Sequence, residues 1–119
     1  MIYHLTPRKE WKRALATGDY RAKSLEKEGY LHCSTLSQLA PVAMEFFPGR
    51  RKITILVVDD ARLTSELKWE KPSGGTPPPG VPQGEKFPHI YGPLNLDAVT
   101  KTLDMERDAD DVFVLPDNL

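Results

Sequence analysis

Ile53-Thr54-Ile55-Leu56-Val57-Val58 is branched at Cβ in five of its six positions and apolar at all but Thr54. Residues of this kind fit a pleated strand. A strand with no polar face has to be covered on both sides, so this one is predicted to be central. Working upstream, Leu39, Val42, Ala43, Phe46 and Phe47 give a helix a broad apolar face. Ser34, Thr35 or Ser37 can cap its start, Pro41 then falls in the first turn, and Pro48-Gly49 ends it. Met1 to Leu5 is predicted as a short strand. Thr6 follows as an N-cap with Pro7 at the first helical position, where its missing N–H costs nothing. Trp11, Ala14 and Leu15 supply one apolar stripe, and Gly18 the C-cap. Residues 19–24 read equally as a short strand or an extended loop.

Downstream, Asp59-Asp60 marks the exit of the central strand, and Leu67-Lys68-Trp69-Glu70 alternates as a further strand. Composition then shifts sharply. Residues 72–88 hold six of the 11 prolines and four of the 8 glycines, including Pro77-Pro78-Pro79. They predict a long exposed loop, either a lid or binding segment or a tolerated surface insertion. Phe87 to Leu94 returns to extended structure. Asn95 or Asp97 is expected to cap a helix carrying Leu96, Val99 and Leu103, and Val112-Phe113-Val114-Leu115 closes as a strand. With connections this uneven, the order of elements predicts an α+β fold in a single domain, residues 1–119, rather than a doubly wound parallel sheet.

Bulk composition narrows the partners. Sixteen basic and 17 acidic residues leave a net charge of -1, so no global field advertises nucleic acid or an anionic membrane. One cysteine excludes an internal disulfide and a cysteine-based zinc finger. No basic-then-apolar leader and no membrane-length apolar run is visible, which makes a cytoplasmic location the expectation.

The chemistry is concentrated in the 3 histidines, each in a compact motif: Tyr3-His4-Leu5-Thr6, Gly29-Tyr30-Leu31-His32-Cys33-Ser34 and Phe87-Pro88-His89-Ile90-Tyr91-Gly92. Each histidine has a hydroxyl residue within two positions, and imidazole both donates and accepts hydrogen bonds near neutral pH. Alternation places Tyr30, His32 and Ser34 on one face, with Leu31 and Cys33 on the other, which turns the thiol away from the histidine. His89 and Tyr91 likewise share a face. The three motifs are predicted to converge on one polar pocket. His4 reads either as a ligand contact or as a partly buried histidine bonded to backbone, and Thr6 either as a ligand contact or as a cap. Ser34 precedes a helix N-terminus suited to an anion, or simply caps it. No metal is expected, because no segment supplies a ligand pair and none of the histidines has helical i, i+4 spacing.

Ile2-Tyr3-His4-Leu5-Thr6 with Trp11, Glu28 to Ser34 with Gln38, and Phe87 to Leu96 together resemble the bacterial domain-of-unknown-function family 952, over nearly the whole chain. The resemblance implies a distant relation to the ADP-ribosyltransferase fold: split, bent β-sheets with about three flanking helices and NAD held in the cleft. In the poly-ADP-ribose type the first motif is His-Gly-Ser or His-Gly-Thr, and His4-Leu5-Thr6 keeps that spacing. Their second motif sets Gly two positions before a stacking Tyr. Gly29 and the run from Ser34 into a helix match it, with Tyr30 displaced by one. Where their third motif carries a glutamate, this chain has His89, and Glu70 and Glu85 lie outside the motif. RNA 2′-phosphotransferases, a related branch, use His and Arg instead, and Arg21, Arg50 or Arg51 would be the phosphate partners here. The resemblance thus implies an NAD- or nucleotide-using transferase, with His32 and His89 catalytic and His4, Thr6, Tyr30, Ser34 and Tyr91 binding the cofactor. The alternative is a catalytically inactive module that binds a nucleotide or small metabolite.

Overall fold

A seven-residue strand, Lys52–Val58, runs between two antiparallel neighbours, and every residue after Lys52 is buried. The computed structural model describes residues 1–119. In chain order the elements are β1 (Ile2–Thr6), α1 (Arg8–Thr17), β2 (Asp19–Tyr20), α2 (Lys23–Glu28), β3 (Leu31–His32), α3 (Leu39–Phe46), β4 (Lys52–Val58), β5 (Glu66–Glu70), β6 (Phe87–Tyr91), β7 (Leu94–Asn95), β8 (Val99–Arg107) and β9 (Phe113–Val114). Single 3-10 turns lie at Leu36–Gln38, Asp60–Arg62 and Leu96–Ala98. The fold is mixed α+β. No helix is long and apolar enough to cross a membrane.

The central strand feeds two cores. Ile53, Ile55 and Val57 join Leu39, Ala43, Met105 and Phe113 on the α3 side. Leu56 and Val58 point the other way and join Ile2, Ala14, Leu31, Ile90 and Leu94. This is the two-sided burial that its sequence requires. The strands form a sheet ordered β1-β4-β8-β9, a second ordered β3-β6-β5, and a pair β2-β7. The two larger sheets touch at one bridge. Tyr3 N–H donates to the Ser34 carbonyl at 2.9 Å, and Ser34 N–H donates to the Tyr3 carbonyl at 2.8 Å.

Several expectations are corrected. The helix expected after Asn95 or Asp97 is a 3-10 turn followed by β8, a nine-residue strand paired with β4 from Lys52↔Glu106 to Val58↔Val99. The helical spacing of Leu96, Val99 and Leu103 is coincidental. The period that operates is two, which sends Leu103 and Met105 together into the α3-side core. The third helix is α2, which starts at the end of the stretch that read as strand or loop and runs on through residues given no element. Thr6 does not cap α1: Pro7 occupies the cap position without any side-chain cap bond. Leu15, expected on the apolar stripe, is exposed. Phe87 and Pro88 belong to β6, and the irregular loop before them is not wholly exposed. Pro78 and Val81 are buried. At the base of that loop the Gln38 amide donates to Glu85 Oε1 at 2.9 Å and to the Lys86 carbonyl at 3.0 Å.

After β6 the chain turns at Gly92, whose φ is +153°. A Cβ there would stand 2.4 Å from Ser65 Oγ and 2.9 Å from Ser65 Cβ. Ser65 is held by its own bond to the Pro93 carbonyl, at 2.8 Å, and cannot yield without losing it. Gly92→Ala should therefore destabilise the protein by about 1–3 kcal/mol, as overpacking does. A thermal unfolding midpoint equal to that of the unaltered protein would show that the turn relaxes freely.

Candidate functional site

A cavity of about 630 Å³ opens beside the bridge that joins the two sheets, within the size range of small-ligand sites. His4 and Thr6 come to its wall from β1, His32 and Ser34 from β3 and the residues after it, and His89 from β6. The three motifs therefore do converge. Tyr30 and Tyr91, expected to bind the cofactor, are not part of that wall. Tyr30 stacks on His89 instead, with ring centroids 4.2 Å apart and planes 23° apart, and Tyr91 lies tilted against Tyr30 at 5.2 Å.

His32 and His89 are direct cross-strand partners, so their side chains share a face, with ring centroids 5.5 Å apart. Each is held by its own carboxylate. Nε2 of His32 lies 2.9 Å from Glu28 Oε2. Glu28 ends α2, and Gly29 at φ +87° reverses the chain so that the acid faces the next strand. Nothing lies within 4 Å of a Cβ built on Gly29, so glycine serves the turn there and no close approach. Nδ1 of His89 lies 2.8 Å from Glu70 Oε1, on the neighbouring strand β5, where Glu70 sits diagonally from His89. The Tyr91 hydroxyl donates to that same oxygen at 2.5 Å. The Tyr91 phenol and then the His89 N–H hold the Glu70 carboxyl below the usual carboxylate range, and the same carboxylate pushes the Tyr91 phenol up to about 12. A carboxylate accepts, so it fixes a proton on the nitrogen it faces. Nδ1 of His32 and Nε2 of His89 are thereby left without a protein partner.

His4 is built differently. Its Nδ1 is 2.6 Å from the His32 carbonyl oxygen, which only accepts, so Nδ1 carries the proton. Nε2 then accepts from the Tyr20 hydroxyl at 2.9 Å, and the Thr6 hydroxyl lies 2.8 Å away on the other side of that phenol. Both ring nitrogens are thus spent inside the protein, clamping β1 to β2 and β3. Burial lowers the His4 pKa to about 4 and raises that of Tyr20 to about 12. Cys33 is in the core, as alternation predicts, and burial pushes its thiol up.

Charge on the wall is uneven. Lys9, Lys23 and Arg50 reach it and none of them forms an ion pair, whereas Glu10 is engaged by Arg13 and Glu28 by His32. Of the three arginines considered as phosphate partners, Arg21 is tied to Asp19 and Arg51 to Asp111, which leaves Arg50. The unpaired cations of the wall are thus side chains, and at the helix start after Ser34 the Thr35 N–H is already taken by Gln38 Oε1 at 3.0 Å. Tyr20, Glu28 and Glu70 were given no role on sequence grounds. The one legible signal was the alternation of residues 67–70, which sets Lys68 and Glu70 on a common face.

Comparison with known proteins places the chain among relatives without assigned activity. The family described as "Protein of unknown function (DUF952)" matches residues 5–102. The crystal structure of protein CC0527 from Caulobacter crescentus is similar, with a TM-score of 0.80 at 33% identity over 98% of this chain and 96% of that one. The solution NMR structure of CC0527 gives a TM-score of 0.76 at 34% identity, over 99% and 95%. No curated protein matches the chain.

Proposed function

We propose, for a chain that belongs to the DUF952 family, a nucleotide-using transferase in which His32 and His89 act as an acid–base pair. The observation that carries this is the pair of oppositely fixed imidazoles, each oriented by a glutamate and each keeping one nitrogen unpartnered beside a ligand-sized cavity. Nicotinamide leaves as a neutral ring when a phosphate oxygen takes its place on the ribose, a step that needs no proton. In the phosphoryl transfer that follows, one neutral imidazole takes the proton of the attacking ribose hydroxyl and the other, protonated, gives one to the RNA oxygen that leaves phosphorus. The glutamates hold ring orientation and stabilise whichever imidazolium forms, the orienting role that carboxylates play beside catalytic histidines.

Split sheets meeting at a single bridge, with the cavity at their junction, support the ADP-ribosyltransferase-like reading of the fold. Within that reading the RNA 2′-phosphate type of transfer is better supported than glutamate-dependent ADP-ribosyl transfer. Glu10 and Glu28 on the wall are both engaged, and Arg50 is free. NAD is the co-substrate this reading takes: the unpaired cations of the wall suit its phosphates, and Thr6 and Ser34 reach the same wall beside His4, whose two ring nitrogens are engaged within the protein. The test is titration with NAD and simple nucleotides, followed by nicotinamide release with a range of acceptors, RNA 2′-phosphate included. Release is expected with a 2′-phosphorylated acceptor. Binding without release from any acceptor would leave a nucleotide-binding module, and no binding at millimolar concentration would overturn both.

A further inference from the structure

We infer that the turn Phe46-Phe47-Pro48-Gly49-Arg50 recognises the aromatic base and the phosphate of a nucleotide together, with Phe46 as the stacking ring and Arg50 as the phosphate partner. The inference rests on the nucleotide reading of the cavity and names its substrate class, a nucleoside phosphate rather than a sugar phosphate.

Phe46 closes α3, a helix whose Leu39 and Ala43 are completely buried, and yet Phe46 itself is 64% exposed. It is the most exposed large hydrophobic side chain of the protein and it lines the cavity. An uncovered aromatic face at the wall of a polar pocket offers what a base can use, since every base has a π-face. Arg50 lies four residues on and lines the same cavity. Its neighbours Arg51 and Lys52 are paired with Asp111 and Glu106, but its own guanidinium has no partner. Guanidinium groups suit phosphate because their planar fork donates two parallel bonds.

Between these two side chains the backbone is held rigidly. Arg107, on β8, has a side chain only 5% exposed. Its guanidinium donates to the carbonyls of Phe47 at 2.8 Å, Pro48 at 3.3 Å and Arg50 at 2.6 Å, and it lies 4.1 Å from the centre of the Phe113 ring. A buried cation is costly unless its donors are satisfied. Here the carbonyls of this turn satisfy them together with the Asp111 carbonyl at 2.7 Å, and the Asp111 carboxylate stands 3.9 Å away. The backbone that carries the ring and the guanidinium is thereby held before any ligand arrives, which lowers the ordering cost of binding.

Calorimetric titration with AMP, ribose 5-phosphate and adenosine tests the inference without requiring turnover. The unaltered protein should bind AMP more tightly than either fragment. Phe46→Ala, which removes an exposed side chain and leaves no cavity in the core, should weaken AMP roughly 5- to 150-fold and leave ribose 5-phosphate unchanged. Arg50→Ala should weaken AMP and ribose 5-phosphate alike and leave adenosine unchanged. Equal affinities for AMP and ribose 5-phosphate, equal losses of both in Phe46→Ala, or no AMP binding at millimolar concentration would overturn it. The acid–base proposal fails by a different sign: phosphoryl transfer from the acceptor indifferent to His32 and His89.

Discussion

His89→Ala is expected to reduce turnover roughly 10²- to 10⁴-fold, the range that positioned acid–base groups contribute, while nucleotide affinity changes little. His32→Ala should behave alike. The double variant should lose no more than the larger single loss, because removing either member disables the pair. Glu70→Gln keeps an oxygen that accepts from His89 Nδ1 and removes the charge beside it. Its turnover should fall on the order of ten- to a hundredfold, the usual effect of disturbing a group that orients a histidine. A fall confined to kcat, with KM and the melting temperature unchanged, distinguishes orientation of His89 from mere support. A Glu70→Gln protein with full turnover would remove Glu70 from the mechanism. Variants of either histidine that retain full phosphoryl transfer would remove the acid–base proposal with them.

Acid should weaken the fold through His4. Its pKa is about 4 in the folded protein, against an ordinary value of 6.5 in the unfolded chain, because burial opposes its charge. Between these values the unfolded chain binds a proton that the folded one does not, so stability is intact above pH 6.5 and falls as the pH drops towards 4. A gap of this size amounts to about 3 kcal/mol at 1.36 kcal/mol per pKa unit. That is a large part of the stability of a typical domain. Urea midpoints across this window should fall for the unaltered protein. His4→Gln cannot titrate, so its midpoint should lie below at pH 7 and converge on that of the unaltered protein near pH 4. Parallel curves for the two proteins would mean that His4 is not the group responsible. His4→Ala separates clamp from ligand contact. With both nitrogens spent on Tyr20 and the His32 carbonyl, its effect should be a lower melting temperature with binding by the folded fraction unchanged, and a loss of binding by the folded fraction would make His4 a ligand contact.

Local pattern alone determined a good deal of this protein. Five β-branched residues in Ile53–Val58 made that strand central, because a side chain with no polar alternative on either face must find apolar cover on both. Period two put His32 and Ser34 opposite Leu31 and Cys33, and the same rule put His89 with Tyr91. That is why the convergence of the histidine motifs was legible before any fold was known. Tertiary structure decided the rest, and in each case the deciding partner is far away in the chain. Val99–Arg107 has spacings that satisfy a helix and a strand alike, and the ladder to β4 selected the strand. Nothing local to His89 announces Glu70, nineteen residues earlier, because the register of β5 on β6 is a property of the sheet. His4 sits in a motif much like those of the other two histidines. What separates it from them is Tyr20 and a backbone carbonyl, brought to its two nitrogens by a fold that leaves it no water to charge in.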